Sequence, residues 1–122
     1  MPGKKSRASS RRRPGKRVAD RYDSARRAYE SGDNRKAKSL LSALIRDGQP
    51  TSSALVLLAR ICAESGERGQ SIKHLGRALR LKPNDAQIHI HLAEVHYQEK
   101  ARDTALKHLH EANIIAPENV QV

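Results

Sequence analysis

Six histidines and one cysteine are the side chains of this sequence best suited to hold a metal or carry a proton. Their spacing decides what they can do. His89 and His91 are two apart and His91 and His96 five apart, so on a helix neither pair points one way. His108 and His110 fail alike, and the i, i+4 spacing with which two helical histidines grip zinc is absent. His74 and His108 stand at equivalent places of a repeat and are positioned to approach, but two neutral imidazoles without a carboxylate make a poor site. No metal and no other cofactor is therefore expected. His89 and His96 are expected to fill interior space, in which case protonation near pH 6 loosens their part of the fold. The single Cys62 excludes an internal disulfide and a cysteine-rich zinc site. It falls on an inward helical position, where an inert thiol is expected. No nucleophile–base pair and no glycine-rich phosphate loop is recognisable, so no catalytic residue is assigned.

The net charge of +11 divides unevenly. Residues 1–17 hold Lys4, Lys5, Arg7, Arg11, Arg12, Arg13, Lys16 and Arg17 and no acid. Of the 24 basic residues, 16 then remain against 13 acids in the rest, which is close to neutral. The segment 1–17 lacks large apolar side chains beyond Met1 and is expected to be a disordered basic tail. Such a tail suits non-specific contact with nucleic acid or an anionic surface, or a solvated leader read by another protein. It has no aromatic residue to stack on bases, which argues against sequence-specific recognition. Pro2, Gly3, Pro14 and Gly15 argue against an amphipathic targeting helix, and no apolar run is long enough to span a membrane. A cytoplasmic location is the expectation.

From Val18 onward the apolar residues take a helical spacing. Val18, Tyr22, Ala25 and Tyr29 form one stripe, Ser31-Gly32-Asp33-Asn34 ends it, and Ala37, Leu40, Leu41, Leu44 and Ile45 form the next. Four further helices follow. Thr51 or Ser52 caps the third, and Asn84-Asp85 caps the fifth. Pro83 and Pro117 close the second helices of two pairs. Strand signals are absent, so the fold class is all-α. The plan repeats at a fixed period, as segments 18–51, 52–85 and 86–119, with 120–122 left as the start of a missing fourth repeat or a tail. Ala25, Ala59 and Ala93, and Ala37, Ser71 and Ala105, recur where paired helices must cross closely. Leu41, Leu75 and Leu109 fill the space between layers.

These positions resemble the tetratricopeptide repeat pattern over residues 18–119. The third repeat reads His89, Leu92, Ala93, His96, Ala105, Leu109, Ala112, Pro117, and the second reads Leu55, Leu58, Ala59, Cys62, Ser71, Leu75, Ala78, Pro83. Aromatic places of the family hold His, Leu or Cys, and Trp and Phe are absent. The resemblance implies an α-α superhelix of three helix-turn-helix repeats whose first helices line a concave groove for a peptide or partner segment. The implied lining is Tyr22, Arg26 and Tyr29, then Val56, Leu57, Arg60 and Glu64, then Ile90, His91, Glu94 and Tyr97. In the best-known chaperone-binding subclass, five Lys, Asn and Arg positions clamp a terminal carboxylate. Here those places hold Tyr22, Arg26, Leu57, Gln87 and His91, so that clamp is missing.

Arg26, Arg60 and Glu94 occupy one place in successive repeats. Arg26 and Arg60 suit a carboxylate of a bound peptide, because guanidinium pairs well with carboxylate. The alternative has Arg60 pairing with Glu94 and Arg26 solvated, at about 0–1 kcal/mol for such a surface pair. At the other end, Leu106, Ile114 and Ile115 exceed what one partner helix can cover. Either further repeats follow or the end self-associates. The reading as a whole is a non-enzymatic interaction module with a basic arm. The alternatives are a nucleic-acid-associated protein and the leading segment of a larger enzyme or assembly.

Overall fold

The computed structural model describes residues 14–48 and 50–117, and of residues 14–18 the backbone only. Six helices and no strand occur among the described residues: α1 Pro14–Glu30, α2 Asn34–Arg46, α3 Ser52–Glu64, α4 Arg68–Leu81, α5 Ala86–Gln98 and α6 Arg102–Ile115. The chain forms two compact units, divided between Gln49 and Pro50.

The first unit is the pair α1–α2. Helix α1 begins at Pro14, ahead of the Val18 start expected from the apolar stripe. The cause is local: a proline ring presets the backbone of a first helical turn and has no N–H to leave unpaired there. Pro14–Arg17 therefore belong to the helix and not to the tail, while Lys4, Lys5, Arg7, Arg11, Arg12 and Arg13 lie outside the described residues. Ala25 and Ala37 are fully buried, and Leu41 and Leu44 are buried with them. Arg21 of α1 donates to the Asp47 carboxylate just past α2 at 2.9 Å.

The second unit stacks two such pairs. Helix α3 packs on α4, α5 on α6, and α4 also packs on α5. Of the alternative caps, Thr51 is the one used on α3, accepting from the Ala54 N–H at 3.1 Å. Asp85 caps α5 by accepting from the Gln87 N–H at 3.0 Å. Leu55, Leu58, Ile61 and Cys62 of α3 are buried with Leu75 and Ala78 of α4, and Ile88, Leu92 and Val95 of α5 with Ala105 and Ala112 of α6.

The periodicity extends to the backbone. Gly32, Gly66 and Lys100 hold one place in the three repeats, and all three have positive φ, at +89°, +83° and +63°. The same 2.8 Å bond follows each one: Asp33 N–H to Ala28 C=O, Glu67 N–H to Cys62 C=O, Ala101 N–H to His96 C=O. This is the left-handed helix end that satisfies otherwise orphaned carbonyls. Glycine enters that conformation freely, whereas Lys100 bears a cost of roughly 1 kcal/mol for its Cβ. The period fails between the first and second repeats, where Gly48 has φ +78° and Pro50 stands one place late.

Candidate functional site

The second unit carries an open cleft of about 380 Å³ between α3 and α5. Helical spacing builds its walls. Arg60 and Glu64 are one turn apart on α3, and His91, Glu94 and Gln98 follow each other at three and four places on α5. Ser71 and Leu75 of α4, both buried, form the floor. The result is a polar-walled trough on a buried base.

Its electrostatics are mixed. His91 Nδ1 lies 4.0 Å from Glu94 Oε1. The His91 pKa is lowered from its ordinary 6.5, first because burial penalises the charged ring and also because Arg60 repels it; Glu94 and Asp85 oppose both effects. His91 is thus a neutral hydrogen-bonding group at pH 7, influenced by a guanidinium and two carboxylates. The Ser71 hydroxyl is buried without a hydrogen-bond partner among the described residues.

Of the lining expected for the second and third repeats, Arg60, Glu64, His91 and Glu94 meet in this cleft. Val56 and Ile90 are half-buried on the same two helices and do not line it. Leu57 is buried and does not line it either. Tyr97 is displaced as well: it is exposed and lines a different cleft, with Leu106 and Leu109 of α6. Gln98, absent from the expected lining, takes the place expected of Tyr97. The repeat itself carries the signal, since Gln98 holds in the third repeat the place that Glu64 holds in the second.

In the first unit, Tyr22 and Tyr29 are half-buried and Arg26 is exposed on α1. The Arg26 guanidinium is 3.5 Å from Asp23 and 3.9 Å from Glu30. It is engaged by acids of its own helix and not merely solvated, although exposed pairs of this kind contribute only about 0–1 kcal/mol.

The histidines form a cluster that spacing alone does not indicate. His89 Nδ1 and His108 Nδ1 are 3.1 Å apart, and the His96 ring stacks on His108 with centroids 5.5 Å apart. His108 thus meets His89 and His96, both on the first helix of its own repeat. One ring must donate and the other accept. The His108 pKa is lowered, by burial first and then by His89 and His96, with Glu111 opposing. Among the described residues no group of three or more His, Cys, Asp or Glu is placed to hold a metal ion, and Cys62 is a buried free thiol. None of the described helices is long and apolar enough to cross a membrane.

Comparison with known proteins fits this geometry. Two family models match, one described as TPR repeat over residues 59–100 and one as tetratricopeptide repeat over residues 22–67. No curated protein matches the sequence. Among solved structures, the fold is similar to PcrH of Pseudomonas aeruginosa, determined in complex with the chaperone binding region of PopB. The TM-score is 0.80 and the identity 18%, over 88% of this chain and 87% of that one. It is also similar to the type III secretion chaperone SycD of Yersinia enterocolitica, determined with a peptide of the translocator YopD. There the TM-score is 0.78 and the identity 19%, over 83% of this chain and 77% of that one. A third similar structure is the O-GlcNAc transferase of Thermobaculum terrenum, with TM-score 0.76 and 26% identity, over 82% of this chain but only 19% of the enzyme.

Proposed function

Because this chain belongs to the tetratricopeptide repeat family, we propose that it is a non-enzymatic interaction module holding an extended segment of a partner protein in the α3–α5 cleft. The observation that carries the reading is the convergence of Arg60, Glu64, His91, Glu94 and Gln98 from two first helices onto one trough. A carboxamide, a neutral imidazole and charges of both signs suit the alternating donors and acceptors of an extended main chain with mixed side chains. Arg60 is assigned to an acidic group of that segment. That PcrH and SycD were determined with segments of other proteins supports the reading, at the level of the fold.

The experiment is a pull-down with the full chain, followed by titration of the captured segment into wild type, Arg60→Ala and Gln98→Ala. Affinity is expected to fall about tenfold for Arg60→Ala, the loss of one charge-assisted contact of roughly 1.4 kcal/mol. Wild-type affinity in both variants removes the reading. Deleting residues 1–13, which precede α1, is expected to leave binding intact. Loss of binding with the arm would favour a nucleic-acid-associated role instead.

A further inference from the structure

The end of the second unit carries an apolar cleft of about 350 Å³ that shares only Glu94 with the polar trough. Ala93 and Tyr97 of α5 and Leu106 and Leu109 of α6 form it, with Glu94 and Arg102 among its lining as the charged members. Tyr97 is 63% and Leu106 62% exposed, and together they make a patch of large side chains bare to water. The repeat explains why they are bare. Ala93, Tyr97, Leu106 and Leu109 hold the repeat places of Ala59, Ala63, Ile72 and Leu75, and one layer earlier α5 packs on α4. Leu75 is consequently 1% exposed, while Leu109 is only half-buried. The surface has the shape and polarity of a layer junction that has not been closed.

We infer that this α5–α6 face is a two-fold interface between two copies of the chain. The charges argue for a copy over an unrelated helix. Both Glu94 and Arg102 are exposed, one on each helix of the face. A two-fold axis places the same patch on both sides, so one residue of a pair meets the other twice. Crossing α5 of one copy over α6 of the other sets Glu94 against Arg102 at both edges and Leu106 against Tyr97 between them. The patch is self-complementary in sign and in apolarity, and it lies apart from the α3–α5 trough except at Glu94.

The test is sedimentation equilibrium of the full chain over a range of concentrations. Wild type is expected to pass from monomer to dimer and no further. Leu106→Glu is expected to weaken the dimer at least tenfold while keeping its helicity, since the exposed Leu106 supports little within the monomer. Glu94→Arg and Arg102→Glu are each expected to weaken it several-fold, and the double reversal to restore it. These charge variants also decide the matter if Leu106→Glu fails to fold. A chain monomeric up to about 1 mM overturns the inference, as does growth beyond the dimer, which would mean head-to-tail association. A dimer indifferent to all four variants places the interface elsewhere and overturns it equally.

Discussion

The second and third repeats are one design seen with and without a following layer. Leu75 lies beneath α5 and is buried; Leu109, at the same place one repeat later, has no described helix stacked over it and is only half-buried. Ser71 and Ala105, at the tight crossings inside each pair, are both buried. A helix pair thus completes its own crossing but not its outer face. What distinguishes the repeats is the neighbour and not the residue, since both outer positions are leucine. Stability in such a stack is a sum of pair terms and junction terms, and among the described residues the third repeat lacks one junction.

Truncation at the shared leucine position is expected to separate the two repeats most. Leu75→Ala leaves a cavity at a closed junction and is expected to cost about 3 kcal/mol, whereas Leu109→Ala is expected to cost about half that. Denaturant unfolding of the two variants measures the difference, and equal losses would mean that the junction contributes nothing.

Next in size is a pH effect confined to the third repeat. The folded pKa values of His108 and His91 lie below the ordinary 6.5 of an unfolded chain, chiefly through burial. The unfolded state then binds more protons, so the stability conferred is complete above about pH 6.5 and is lost as pH falls through the depressed values. His89, His96 and Glu111 face His108; the two histidines strengthen the effect and Glu111 weakens it. The thermal midpoint is expected to drop between pH 7.5 and 5.5, and His108→Gln to flatten the profile. A flat wild-type profile contradicts the burial argument.

A smaller test uses the left-handed turn. Lys100→Gly relieves the strain of a Cβ at positive φ and is expected to stabilise the chain by about 0.5–1 kcal/mol, while Gly66→Ala is expected to cost about 1 kcal/mol. Opposite signs sharpen the equivalence of the two turns, and like signs would deny it. Smallest of all, Arg21→Ala should cost no more than about 1 kcal/mol, because the Arg21–Asp47 pair is partly solvated on both sides.

The architecture was legible because helix formation here is governed by a period, and a period is visible in sequence. Apolar spacing located six helices, and Gly32, Pro83 and Pro117 marked the ends of three of them. The starts were harder to place, since Pro14 suits a first turn without belonging to the apolar stripe. The lining of the α3–α5 cleft was legible where position alone decides, as for Arg60, Glu64, His91 and Glu94. Leu57 departs from that lining because register fixes a residue's place on a helix and not its burial. Tyr97 and Gln98 are adjacent, and a rotation of about 100° along α5 sends them to different clefts. The contact between His89 and His108 depends on how α5 crosses α6, which no spacing within either helix encodes.

Amide hydrogen exchange on the full chain, with and without its captured partner, decides whether a partner segment lies between α3 and α5. New protection is expected to concentrate in residues 60–64 and 91–98. Protection confined to α6, or to the first unit alone, would contradict that placement.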